Sequence, residues 1–167
     1  GFQQNPAVPD VGERVVFVAA GATDIDGQVT AYEWDFNDDG VVDDRGRTVS
    51  TRFPTAGSHS VRLIATDDNG ATNATVHEIR VNARPSARFD VFPGITRPGV
   101  PILLDGTDST DPEGDDLDYA WDLDDDGTVD ARGSIVRPVY DEPGFQVVRL
   151  LVTDADSASS TASGTVL

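Results

Sequence analysis

The 167-residue sequence matches itself at one long, constant offset of 87 residues. Residues 32–46, YEWDFNDDGVVDDRG, align with residues 119–133, YAWDLDDDGTVDARG, and ten of the fifteen positions are identical. The same shift, without a gap, pairs Thr23-Asp24 with Thr110-Asp111, Gly57 with Gly144, Val61-Arg62-Leu63 with Val148-Arg149-Leu150, and Thr66-Asp67 with Thr153-Asp154. A period this long, present twice, means two duplicated domains rather than a solenoid of short units, and each must bury a core of its own. The boundary falls near residues 82–84, which gives domains 1–82 and 83–167.

Within the first copy, residues 14–20, 29–36, 48–53, 58–66 and 72–81 are short stretches rich in Val, Thr, Phe and Tyr, bounded by Gly, Pro, Asn and Asp. Several alternate with a period of two, and none carries a helical period. In residues 29–36 the alternation puts Tyr32, Trp34 and Phe36 on one face, with Trp34 in the position of a core tryptophan. Asp68-Asn69-Gly70 is a turn signal between two strands, because Asn and Gly tolerate the positive φ of a tight hairpin. Strands at this spacing predict an all-β chain of two tandem β-sandwiches, about seven strands in each.

The charge restricts the partners. Twenty-five Asp and five Glu face twelve Arg and no Lys, for a net charge of -18. Nucleic acid and anionic membrane surfaces are excluded, because affinity for phosphate needs Lys and Arg that release counterions. Self-repulsion of this size destabilises a compact state unless it is screened, and the screening length falls from about 8 Å in physiological salt to about 3 Å at 1 M. An Asp-rich, Lys-free composition points to a halophilic archaeal source, the other reading being an ordinary acidic calcium protein. With no cysteine there is no disulfide framework, and no apolar run has membrane-spanning length, so no membrane insertion is expected. Residues 1–11 lack the charged and apolar regions of a signal peptide, which predicts an excised or processed segment.

Two acidic turns are the main candidates for chemistry. Asp35, Asn37, Asp39, Gly40 and Asp43 in the first copy, and Asp122, Asp124, Asp126, Gly127 and Asp130 in the second, follow D-x-[DN]-x-[DN]-G-x-x-D. Oxygens at alternate positions, followed by a glycine that allows a sharp bend, make the first part of a calcium loop. Gly46 and Gly133 stand where such a loop would close with a bidentate Glu, so a further ligand has to come from elsewhere. The bland reading is a solvated acidic turn. Recurrence at equivalent places in two domains favours a structural role, whereas a hydrolase needs one asymmetric pair of carboxyl groups. No nucleophile, phosphate-cradling loop or catalytic triad pattern is legible, and enzymatic activity is not expected. His59 and His77 have Gln146 and Gly164 at the matching positions and read as surface or strand-edge residues. Asn73-Ala74-Thr75 is a glycosylation sequon just beyond the predicted turn.

The string S/T-x-D-x-x-G, then Y-x-W-D-F, then V-x-L-x-x-T-D resembles the signature of the PKD (polycystic kidney disease) repeat. Thr23, Asp24, Gly27, Tyr32, Trp34, Asp35, Phe36, Val61, Leu63, Thr66 and Asp67 carry it in one copy. Thr110, Asp111, Gly114, Tyr119, Trp121, Asp122, Leu123, Val148, Leu150, Thr153 and Asp154 carry it in the other. The resemblance implies tandem Ig-like sandwiches outside the cell, on the surface or secreted, as in surface-layer (S-layer) proteins, adhesins or secreted hydrolases. It also implies a second calcium set, Asn82, Asp111 and Asp154, with Asp24 and Asp67 as the incomplete counterpart. With no Gly/Ser linker between residue 81 and Asn82-Ala83-Arg84-Pro85, a stiff connection tied to that metal is expected. The leading function is then a module for surface architecture or adhesion, with surface proteins, glycans and neighbouring domains of the same polypeptide as partners. The alternative is an accessory, substrate-engaging domain of a secreted hydrolase such as a chitinase or protease. Both Trp and the Tyr before each are assigned to core strands, which leaves few aromatics for a polymer-binding face and leans towards the first.

Overall fold

The computed structural model describes residues 1–167, and every regular element in it is a β-strand. No helix is long and apolar enough to cross a membrane. The chain divides into two compact units, Gly1–Asn82 and Ala83–Leu167.

Unit 1 contains β1 (Phe2–Asn5), β2 (Arg14–Ala19), β3 (Val29–Asp35), β4 (Asp44–Arg45), β5 (Thr48–Arg52), β6 (Gly57–Asp67) and β7 (Thr72–Val81). They form two antiparallel sheets, β1-β2-β5 and β4-β3-β6-β7. In β2 the alternation expected of a half-buried strand holds: Val15, Phe17 and Ala19 are buried while Arg14 and Val18 reach solvent. Those side chains meet Trp34, Val61, Leu63, Ile79 and Val81 of the second sheet, so the core lies between two facing sheets. Trp34 has no exposed surface, and its indole N–H donates to the carbonyl of Gly46 at 2.9 Å. A buried indole needs such an acceptor. Phe2, on a strand too short for periodicity to reveal, packs edge-on to Trp34 with ring centroids 5.1 Å apart.

Unit 2 repeats the plan with β8 (Asp90–Phe92), β9 (Leu103–Asp105), β10 (Asp118–Asp122), β11 (Ala131–Arg132), β12 (Ile135–Val136), β13 (Gln146–Thr153) and β14 (Ser159–Val166). The sheets are β12-β9-β8 and β11-β10-β13-β14. Ile102, Leu104, Trp121, Val148, Leu150, Val152 and Val166 make the core, and Trp121 donates to the Gly133 carbonyl at 2.8 Å. The tryptophan near the start of the repeated motif and the glycine that ends it are thus one hydrogen-bonded pair in both copies.

Candidate functional site

Asp35 ends β3, and the chain must coil before β4 begins at Asp44. The carboxylates do the coiling. Asp35, 1% exposed, accepts from the N–H groups of Asn37 (3.3 Å) and Asp39 (3.2 Å) on one oxygen and of Gly40 (2.8 Å) on the other. Asn37 Oδ1 accepts from Asp39 N–H (3.3 Å), Asp39 Oδ1 from Val41 N–H (2.8 Å), and Asp43 Oδ2 from Phe36 N–H (2.7 Å). Gly40 supplies the left-handed bend at φ 88°.

Unit 2 builds the same coil after β10. Asp122 accepts from Asp126 N–H (3.2 Å) and Gly127 N–H (3.0 Å), Asp124 from Asp126 N–H (3.3 Å), and Asp130 from Leu123 N–H (2.7 Å). Oxygens of Asp122, Asp124 and Asp130 all lie within 4.8 Å of one another. Asp126 stands slightly apart from this group: one of its oxygens takes both the N–H (2.7 Å) and the hydroxyl (2.6 Å) of Thr128.

The electrostatics follow from these donors. Burial pushes the Asp35 carboxyl up, but the N–H groups of Gly40, Asn37, Asp39 and Asp38 together outweigh it and hold the group below the usual carboxylate range. The Thr128 hydroxyl and N–H lower Asp126 in the same way. Burial, with Asp130 and Asp124 nearby, raises Tyr140, whose hydroxyl donates to the Leu123 carbonyl at 2.9 Å.

One further residue of each loop carries no signal in the calcium-loop spacing. Asp38 and Asp125 take positive φ, 56° and 59°, and point away from the coil to Arg62 on β6 and Arg149 on β13. The second pair is 2.7 Å long. Identity of both partners under the 87-residue offset was the available signal. Gly46 and Gly133, at the loops' twelfth positions, turn their carbonyls to the tryptophans.

The second predicted set lies at one end of each sandwich. In unit 1, Asp67 closes the β6–β7 turn by accepting from Asn69 N–H (2.8 Å) and Ala71 N–H (2.9 Å). Asp24 keeps one buried oxygen without a hydrogen-bond partner. A Cβ placed on Gly27 would lie 2.7 Å from that oxygen and 2.1 Å from Asp68 Oδ1, so two carboxylates converge over a position only glycine can hold. In unit 2, Asp111 accepts from Glu113 N–H (2.9 Å) and Asp115 N–H (3.2 Å), and its other oxygen is buried without a partner. Asp154, 5% exposed, accepts from Asp156 N–H (2.9 Å) and Ala158 N–H (2.8 Å). Asn82 belongs to unit 1, where its backbone bonds to Pro9 and Val11, 2.8 Å each.

Asn73 is exposed near the start of β7. His77 meets the surface or strand-edge expectation on β7, the edge strand of its sheet, whereas His59 lies on β6 inside the sheet. Both are half-buried strand residues lying on core aromatics, His59 against Phe53 at 4.7 Å and His77 stacked on Phe2 at 4.2 Å.

Comparison with known proteins gives a consistent picture. Two family models, both described as "PKD domain", match residues 1–79 and 82–166. The pre-pro-metalloprotease PrtV of Vibrio cholerae is 30% identical over 145 residues, which is 84% of this chain and 15% of that protein. Collagenase ColA of Clostridium perfringens is 34% identical over 71 residues, 42% of this chain and 6% of that protein. The chain therefore spans a small part of either relative. Among solved structures, the N-terminal eight Ig domains of Down Syndrome Cell Adhesion Molecule superpose with a TM-score of 0.59 at 9% identity, covering 99% of this chain and 24% of that one. This last likeness is one of fold.

Proposed function

Because the chain belongs to the PKD domain family in both of its halves, we propose that it is a non-catalytic module of a cell-surface or secreted protein, made rigid by calcium. The observation that carries this is the duplication of all-oxygen clusters in the same register of both units. In unit 2 three carboxylates come within 4.8 Å of one another, and in each unit one buried Asp oxygen, on Asp24 or Asp111, has no hydrogen-bond partner. Such an oxygen is costly to bury alone, and close carboxylates repel. A hard cation that takes oxygen ligands relieves both. Asp35, Asn37, Asp39 and Asp43 would hold calcium in one loop, and Asp122, Asp124, Asp126 and Asp130 in the other. Asp24 with Asp67, and Asp111 with Asp154, are the proposed ligands at the sandwich ends.

In this reading the module spaces and stiffens a longer polypeptide and meets surface proteins, glycans or neighbouring domains. A second reading, an accessory domain of a secreted hydrolase, is favoured by the matches to a pre-pro-metalloprotease and a collagenase. Calorimetric titration of chelated protein in high monovalent salt tests the calcium. Saturable heat is expected, with a stability gain of about 2.7 kcal/mol once calcium reaches 100 times its Kd. Asp124→Ala should remove the heat of one loop, and Asp111→Asn that of one sandwich end. Absence of calcium heat in the wild type would overturn the proposal. Saturable retention on collagen, cellulose or chitin would favour the accessory reading over the spacer.

A further inference from the structure

Glycine directly follows Asn or Asp at five junctions: 26–27, 39–40, 69–70, 105–106 and 126–127. At such a junction the main chain can react with itself, because the glycine nitrogen has no side chain beside it and can reach Cγ of the preceding residue to close a cyclic imide. The fold disarms three of the five by engaging the glycine N–H. Gly40 donates to Asp35 at 2.8 Å, Gly127 to Asp122 at 3.0 Å and Gly106 to the Ser134 carbonyl at 2.7 Å. At 26–27 the group under attack would be a carboxylate, a poor electrophile beside an amide.

The junction at 69–70 differs on both counts. It offers an amide, and Asn69 and Gly70 are both exposed in the turn between β6 and β7. The Gly70 N–H reaches only the Asp67 carbonyl, at 3.4 Å, which is long for a hydrogen bond. Gly70 takes φ 82°, the left-handed bend the turn needs, and nothing lies within 4 Å of where a Cβ would stand. The residue that permits the bend therefore leaves its own nitrogen open. Of the other asparagines, Asn5 precedes Pro6, which has no N–H, and Asn37, Asn73 and Asn82 precede residues whose side chains hinder the attack.

We propose that Asn69-Gly70 is a self-modification site, at which unit 1 deamidates and Asn69 becomes a mixture of isoaspartate and aspartate. The Gly70 nitrogen gives its proton to water and bonds to Asn69 Cγ. The Cγ–Nδ2 bond then breaks, and Nδ2 leaves as ammonia with a proton returned from water. Hydrolysis of the cyclic imide consumes one water, and nothing is oxidised or reduced. Opening at Cγ yields aspartate. Opening at the main-chain carbonyl yields isoaspartate, whose backbone runs through Cβ and Cγ and is one methylene longer.

The extra length acts on the way the turn is closed. Asp67 Oδ1 takes both the Asn69 N–H at 2.8 Å and the Ala71 N–H at 2.9 Å, and isoaspartate inserts its methylene between these two donors. They then no longer converge on one oxygen, and the end of the β6–β7 hairpin opens. Plain aspartate keeps the turn. Unit 2 has Asp156 at the same register position, and there Asp154 takes the N–H groups of Asp156 and Ala158 at 2.9 and 2.8 Å.

The test incubates the full 167-residue chain at mildly alkaline pH with a chelator present, beside a synthetic peptide of residues 63–80, and follows both by mass spectrometry. Cleavage after arginine releases residues 63–80 from the protein, and fragmentation distinguishes Asn69 from Asn73 within them. One amide-to-acid exchange is expected at Asn69, with isoaspartate among the products and Asn5, Asn37, Asn73 and Asn82 intact. Its rate should fall within about tenfold of that in the peptide, a barrier difference of about 1.4 kcal/mol. Gly70→Ala should slow it by about tenfold or more. Because that change strains the positive φ, Asn69→Gln is the second variant: it keeps an amide, places it one bond too far for the same ring, and should stop the reaction. Hydrogen exchange at residues 66–72 should quicken as isoaspartate accumulates and stay as in the unreacted protein in Asn69→Asp. An intact Asn69 after the peptide has fully reacted, equal reaction at Asn37 or Asn73, an unchanged rate in Gly70→Ala or Asn69→Gln, or a product without isoaspartate would each overturn the proposal. Unchanged protection of residues 66–72 in the isoaspartate form would overturn the opening of the turn.

Discussion

Gly164 lies on β14 opposite Val148, and a methyl group added there would come within 2.8 Å of the Phe89 ring. The ring in turn packs edge-on to Trp121, with centroids 5.2 Å apart. In unit 1 the same register position holds His77, whose ring covers Phe2 by stacking at 4.2 Å. One aromatic packed on the core is therefore covered in two ways, by a side chain in one copy and by close approach to a bare backbone in the other. Gly164→Ala should overpack this contact and destabilise unit 2 by about 1–3 kcal/mol, measured by denaturant unfolding. Adding Phe89→Leu should recover part of that loss, because the two changes share one contact and cannot be additive. His77→Ala removes a stacked ring rather than adding volume, and should cost unit 1 only about 0.5–1.5 kcal/mol. A neutral Gly164→Ala would mean that the Phe89 ring does not lie over β14.

Among elements, the ties between the acidic loops and the strands beside them set how firmly the oxygens are held. Arg62 reaches from β6 to Asp38 and Arg149 from β13 to Asp125, each pair fixing an aspartate whose backbone is left-handed. The first pair keeps 38% and 25% of its side-chain surface exposed, so it is worth below about 1 kcal/mol of global stability. Its effect is local. Arg62→Gln should speed amide hydrogen exchange at residues 36–43 and leave residues 123–130 unchanged; equal protection in wild type and variant would show that the loop is held by its own carboxylates alone. Alternation made β2, β3, β5, β6 and β7 legible in the sequence, since each is long enough to repeat. β1 and β4, of four and two residues, are set by pairing partners far along the chain and leave no periodic trace. The loop oxygens were legible from their spacing. That Asp38 would turn outward, and that the Gly46 carbonyl would serve Trp34, depended on Arg62 and on the core, neither of which is near in sequence.

For the whole molecule, charge sets how stability responds to the solvent. Thirty acidic residues against twelve basic ones leave a net charge of -18 on 167 residues. Most of the acidic groups are exposed, and those in the loops lie close together, so compaction brings like charges together and works against folding. Monovalent salt shortens the range of this repulsion from about 30 Å at 0.01 M to about 3 Å at 1 M. The local hydrogen bonds to Asp35, Asp122 and Asp154 are short-range and much less sensitive to it. With calcium chelated at neutral pH, the melting temperature should therefore climb steeply between millimolar and molar potassium chloride. The same series near pH 4, in the ordinary carboxylate range, provides the internal check. Protonation there brings the acids closer to balance with the twelve arginines, so the salt dependence should shrink even though the ions are the same. A slope that persists at pH 4 would mean that the salt acts through apolar burial rather than screening. A flat curve at neutral pH would mean that repulsion among the carboxylates is already offset within the fold.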